Sequence, residues 1–240
     1  MMQRLIVLRL NAVSRSMWLG VVGIFVLAML VLLPLRMALV SIPGIAAREV
    51  QGFAWSGDIK DLRAGPLQFD HVKAGVNPLS LLIARPRIWL RAGDTQPPFA
   101  ARLGTGWGET TVFDVNGSVA FRNGLSGLPV TSIAFRGFGA TFRDGRCIAA
   151  YGAVRLAMPG PGGGPLWLAG PARCKAGALL LALQGLGGME RLDLRLAGDG
   201  RWTADLTFAD LPPEASAALA EKGFTIRPDG ATGFRTNGSF

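Results

Sequence analysis

Residues Glu190 to Phe208 read E-R-L-D-L-R-L-A-G-D-G-R-W-T-A-D-L-T-F. Leu192, Leu194 and Leu196 alternate with charged side chains, and Trp202, Ala204, Leu206 and Phe208 alternate with mostly polar ones. A period of two belongs to strands with one buried and one wet face. Gly198-Asp199-Gly200 lies between the two runs, and its Asp-Gly predicts a primed hairpin turn.

The same alternation recurs upstream. Arg87, Trp89 and Arg91 alternate with Ile88 and Leu90, and Val115, Gly117, Val119 and Phe121 alternate with Asp114, Asn116, Ser118 and Ala120. Phe138, Ala140 and Phe142 continue the pattern, as do Gly152, Val154, Leu156 and Met158. From Val50 to Leu82 short strand-like pieces are punctuated by Gly57, Gly65 and Gly75, with Ser56-Gly57-Asp58 expected to form a tight turn. Asn77-Pro78 suggests one helical turn with Asn77 as cap, or a plain loop. Pro159 to Pro165, P-G-P-G-G-G-P, is a breaker; it lacks the Lys-Ser/Thr ending and following helix of a phosphate-binding loop. A late helix is expected to start with Pro212 in its first position and end before Gly223, capping the sheet, with two short strands after it. The fold class is therefore mainly β: a curved antiparallel meander with one or two short helices.

One stretch departs from this pattern. Met17 to Leu33 carries no charged side chain. As a helix it measures roughly 26 Å, close to the ~30 Å apolar thickness of a bilayer, and Leu35 would extend it. Arg4, Arg9 and Arg15 precede it, and the first 40 residues contain no acid, so the positive-inside bias predicts a cytoplasmic N-terminus. A cleaved signal is the competing reading, but the apolar run is longer than a signal core and Ile45-Ala46-Ala47 is a poor cleavage site. The expected organisation is a cytoplasmic basic tail over 1–16, a single transmembrane helix over 17–35, a linker over 36–48 and a periplasmic β-rich domain over 49–240.

The formal net charge is +9, and beyond residue 40 there are 21 basic against 16 acidic groups. The excess is mostly single arginines along strands, a poor basis for nucleic-acid binding. Cys147 and Cys174 are the two cysteines. In an oxidising periplasm such a pair is expected to form a disulfide, although sequence alone does not pair them. With one histidine, His71, and no C-x-x-C, no metal site or cofactor is expected. Neither Ser56 nor Ser80 lies in a G-x-S-x-G motif, so no nucleophile is assigned to His71, and no catalytic residue or small-molecule substrate is expected. The tryptophans at 55, 89, 107, 167 and 202 read as sheet core or rim.

The basic N-terminus and apolar segment are followed by V-Q-G-F-A-W-S-G from Val50 to Gly57, then D-L-R-A-G from Asp61 and N-P-L-S-L-L from Asn77. Further on stand Cys147-x-x-x-Tyr151-Gly152 and Cys174 ahead of Ala178 to Leu183. This arrangement resembles the type II secretion system protein N (general secretion pathway protein N) family. The resemblance implies a non-enzymatic inner-membrane accessory that helps export proteins across the outer membrane and whose partners are other inner-membrane components of that apparatus. Two other classes compete. An AsmA-like lipid-handling protein would need a continuous apolar groove, and an envelope enzyme would need a pocket around His71 or an acidic pair.

Overall fold

The computed structural model describes residues 15–32, 35, 45–64, 67–78, 80, 85–93, 97–106, 108–121, 124, 128–160, 163–221 and 223–239. Most of the basic tail, Trp107 and most of the apolar run after Pro78 lie outside the described residues.

Among the described residues fifteen strands form one sheet. In chain order they are β1 (Ile45–Ala46), β2 (Glu49–Phe53), β3 (Ser56–Ala64), β4 (Leu67–Val76), β5 (Arg87–Ala92), β6 (Phe99–Gly106), β7 (Glu109–Ala120) and β8 (Ser132–Arg143). Then come β9 (Arg146–Pro159), β10 (Pro165–Lys175), β11 (Ala178–Gly185), β12 (Glu190–Leu196), β13 (Arg201–Phe208), β14 (Thr225–Ile226) and β15 (Thr232–Ser239). From β3 to β13 each strand pairs with its sequence neighbours, so the meander is as expected; β15 then lies beside β13, with β14 outside it. At the other end β1 and β2 both pair with β3.

Alternation puts one face of each strand from β3 to β13 into a common core. Trp202, Ala204, Leu206 and Phe208 of β13 join Leu192 and Leu194, Leu179, Leu181 and Leu183, and Val154, Leu156 and Met158 in one buried cluster. Each fully buried Leu contributes about 1.5–3 kcal/mol. The sheet curls around this cluster. The rings of Phe69, Phe99 and Phe135, on β4, β6 and β8, are spaced by 5.3 and 6.3 Å. Those two steps bridge four strand spacings, which on a flat sheet would measure about 19 Å.

Curvature is concentrated at bulges. Pairing between β7 and β8 shifts register between Val112 and Val115 and again before Gly117, and β8 and β9 shift between Arg136 and Gly139. Asp114 has φ 54° and Gly137 φ 55°, and the Asn116 side chain accepts a hydrogen bond from Gly137 N at 2.8 Å. An extra residue bends a strand and inverts the facing of what lies beyond it. Hence Phe135 and Phe138, three apart, both face inward, and Phe113 turns outward although strict alternation back from Val115 would bury it.

Several expectations need correction. The hairpin over 190–208 keeps its predicted strands, but its turn is not a two-residue primed one. Gly200 N donates to Ala197 O at 3.2 Å, Ala197 N to Arg201 O at 2.8 Å, and Gly200 takes φ 84°. This is a three-residue loop with a left-handed glycine closing it. The first turn lies at Ala54-Trp55, not at Ser56 to Asp58, because Gly52 pairs with Gly57 and Phe53 with Ser56. The linker expected over 36–48 ends earlier, since Ile45 and Ala46 already pair with Ala64 and Arg63. The breaker at 159–165 is the loop of the β9–β10 hairpin, where Gly160 N donates to Gly164 O at 2.7 Å. Pro78 and Ser80 lie in a helical turn, with Ser80 N bonded to Asn77 O.

Two helices whose full range is described accompany the sheet. The late one, α2 (Pro213–Ala220), starts one residue later than expected, with Pro212 as cap, and sets Leu219 into the core. Gly223 at φ 89° turns the chain away, and Phe224 N bonds back to Leu219 O. The first helix, α1 (Arg15–Val31), covers most of the apolar stretch. Among the described residues no helix is long and apolar enough to cross a membrane, so the expected transmembrane helix over 17–35 is not established by the structure. Leu35 is itself helical, and residues 33–34 before it lie outside the described residues. The Leu35 side chain is 3% exposed and packs against Gly57 in the sheet core.

Candidate interaction surfaces

His71 is the one histidine of the sequence. Its Nε2 lies 3.0 Å from Asp58 Oδ1 on the open face of β3 and β4, with both side chains nearly half exposed. Ser80 is buried and built into a turn, its hydroxyl accepting a hydrogen bond from Arg87 N at 2.9 Å. Among the described residues no three His, Cys, Asp or Glu side chains gather to hold a metal ion.

Cys147 and Cys174 are joined in a disulfide, with Cα atoms 5.5 Å apart. Its placement is informative. The β9–β10 ladder runs from Pro159 opposite Pro165 to Ala153 opposite Pro171 and then stops. Beyond that point β9 continues on β8 and β10 on β11, so the two strands part. The disulfide spans the parted end. Three turns meet beside it: Cys147 N donates to Gly177 O at 2.8 Å and Gly198 N to Gly145 O at 3.2 Å.

Among the described residues the sheet does not close and has two edges. At one end β2 pairs only with β3, and its Phe53 is half exposed. At the other, β14 covers only Thr232 and Gly233 of β15, leaving no described strand beside Phe234 to Ser239 on that side. An ion-pair cluster fastens this end: Asp205 meets Arg227, and Arg235 at 2.9 Å. Burial pushes the Asp205 carboxyl up, but the two guanidiniums outweigh it and hold it below the usual range.

The outer face of β5 to β9 carries a groove. Arg87, Trp89 and Arg91 line one side, and Arg91 and Arg87 lie 5.8 Å from the Trp89 ring centre and 5.9 Å from the Phe113 ring centre. Two adjoining hollows of about 550 and 380 Å³ share Arg87 and Phe113. Their floor includes Gly104 and Gly106, and the far side is Glu109, Arg143 and Tyr151. Arg143 bonds Glu109 at 2.8 Å and holds its carboxyl below the usual range, with Arg85 adding to the effect. The Arg-Trp-Arg alternation was visible in the sequence; the bulge that turns Phe113 out to join it was not. Of the tryptophans, Trp202 is core and Trp167 is surface, with Arg155 beside its ring.

Residues 43–235 match the family described as type II secretion system (T2SS), protein N. The chain belongs to that family. No curated protein and no solved structure matches it. The protein N family is an accessory of the secretion apparatus, which places this chain's role in type II secretion and its interactions among other components of that system. The structure also gives physical reasons for the residues by which protein N was legible. In the opening hairpin the Ala54-Trp55 loop folds onto β4, where Val76 N donates to Ala54 O, and a Cβ on Gly75 would lie 2.1 Å from the Trp55 carbonyl. In Tyr151-Gly152, the tyrosine ring covers Gly139, and Gly152 takes φ 90° with Gly137 O against it, at the bulge between β8 and β9.

Proposed function

We propose that this protein is a non-enzymatic accessory of the type II secretion apparatus, held in the inner membrane by α1, with its N-terminus in the cytoplasm and its sheet in the periplasm. The family match over residues 43–235 carries this reading. Support for the anchor comes from α1 itself. From Met17 to Leu32 every side chain described is exposed, Leu19 at 72% and Ile24 at 70%. An apolar helix uncovered all round in water is unfavourable, and a bilayer is the surrounding that removes the cost. The domain then acts by presenting surfaces to other inner-membrane components, through its sheet edges or through the anchor helix. The edges are favoured, because unpaired backbone groups along β2 and β15 can accept a partner strand.

A second reading, an AsmA-like lipid handler, is favoured by one observation. A cavity of about 390 Å³ lies under α2, lined by Leu128, Met158, Phe208, Leu219, Phe224 and Phe234. The deciding experiment is crosslinking from Phe53 and Asn237 in intact cells, combined with deletion of the gene and assay of exoprotein release. Crosslinks to secretion components support the accessory role. Crosslinks to lipid alone together with unimpaired release transfer preference to lipid handling.

A further inference from the structure

We propose that the groove on the outer face of β5 to β9 is a docking site for an extended, acidic segment of a partner protein. The proposal rests on the reading above that the domain works through protein contacts, and it names the surface and the chemistry of one of them.

Arg87, Trp89 and Arg91 project from the same face of β5 at alternate positions, so successive side chains stand about 6.6 Å apart. An extended peptide running alongside repeats its own side chains at the same interval. Carboxylates four positions apart in such a peptide can therefore meet Arg87 and Arg91 while the apolar residue midway between them, on the same face, meets Trp89. Among the described residues Arg85, Arg87 and Arg91 have no carboxylate within ion-pair distance, whereas Arg102 and Arg143 are engaged by Asp114 and Glu109 at 2.8 Å. Among the described residues Arg87 and Arg91 thus stand without an ion-pair carboxylate on one side of the groove, while on the other Glu109 is held by Arg143 and feels Arg85 as well.

Its shape is built by missing side chains. Gly104 lies opposite both Arg87 and Thr111 in the ladders, and Gly106 opposite Glu109, so β6 has no side chain at the two positions that would fill the hollow. Phe113, turned outward by the bulge at Asp114, gives the floor an aromatic patch under the Arg87 guanidinium. Planar guanidiniums beside aromatic rings bind carboxylates bidentately while keeping their stacking. An anionic membrane surface is the other acceptor of such charges. It fits less well, because the aromatic side chains described beside these arginines, Trp89 and Phe113, are only partly exposed and lie along the sheet.

The test uses the full chain in a non-ionic detergent and a dye-labelled peptide repeating Glu-Ser-Val-Ser, which puts glutamate and valine in turn on one face, followed by fluorescence anisotropy, with the Lys-Ser-Val-Ser peptide as control. The acidic peptide should bind, the basic one should not, and added salt should weaken binding. Arg87→Glu with Arg91→Glu should weaken it roughly tenfold or more, whereas Arg191→Glu with Arg195→Glu, on β12, should leave it unchanged. Gly104→Val fills the floor without altering charge; a Cβ there meets only the Phe113 ring, at 3.6 Å, so the variant should fold and still lose binding. Binding that is indifferent to the Arg87/Arg91 pair overturns the proposal. So does the absence of peptide binding alongside titration of the same arginines by phosphatidylglycerol vesicles, which would assign the groove to a membrane surface. These readouts do not depend on exoprotein release, so a failed groove and a failed secretion role give different results.

Discussion

Replacing Cys147 and Cys174 by serine tests how the sheet is held where its strands part. The bridge closes a loop with a sequence separation of 27. On the chain-entropy account, a loop of that length removes about 12 cal/mol/K from the unfolded chain, or about 3.5 kcal/mol at 25 °C. For a domain of about 200 residues this corresponds to a fall in melting temperature of roughly 7–14 °C. The loss should also be local. Ladder bonds between β9 and β10 are absent below Ala153 and Pro171, so amides of Cys147 to Tyr151 and Ala172 to Lys175 should lose exchange protection first. Leu183 and Leu192, deep in the core, should keep theirs. Thermal unfolding of the serine variant and of the native chain with and without dithiothreitol supplies the measurement, and the variant should match the reduced native chain. Identical midpoints for oxidised and reduced protein would refute the reasoning, as would thiols that alkylate freely in the folded chain.

Gly152→Ala combines a positive φ with a Cβ placed 2.4 Å from Gly137 O, so it should cost about 3 kcal/mol or more in urea denaturation. Leu183→Ala, at a fully buried position, should cost about 2–5 kcal/mol without changing secondary structure by circular dichroism. The Asp205 carboxyl has a lowered folded pKa, so its contribution is present above the ordinary carboxylate range and is lost as pH falls through that range towards the folded value. Asp205→Asn should therefore lower stability by about 1 kcal/mol at neutral pH and flatten the acid limb of the stability profile; an unchanged limb would contradict this. For sidedness, a periplasm-dependent reporter placed after Gly65 should be active and the N-terminus should remain Met1 or Met2. A new terminus near Arg48 would replace the anchor by a cleaved leader.

What could be read in advance was whatever alternation and turn chemistry write locally. The β12–β13 hairpin, the β9 face of Val154, Leu156 and Met158, and the helix after Pro212 were all legible because their signals lie within a few neighbouring residues. Register breaks were not. Asp114 and Gly137 look like ordinary polar and turn residues, yet each adds a residue to one strand and reverses the facing of what lies beyond, which is how Phe113 reaches the surface. Leu35 shows a related limit: its apolar character extends the helical run in one dimension, and only the tertiary arrangement brings it onto Gly57. The disulfide partners were identified by count and compartment, whereas their position at the parted end of β9 and β10 depends on register that no local signal encodes.

The order of the strands has a consequence for how the chain is made. From β3 to β13 every strand has its partner immediately before it in the chain, so a polypeptide emerging N-terminus first can add each strand to a template that already exists, with short loops to close. The last step breaks this sequence. The second edge of β13 is covered only by β15, and β14, although translated earlier, has no partner until β15 arrives. A chain stopped before Thr232 would thus carry β13 as an uncovered edge, with Trp202, Ala204, Leu206 and Phe208 ready to zip onto another copy. This eight-residue strand thus decides the state of the β13 edge: with it the edge is paired, and without it the edge invites proteolysis or self-association.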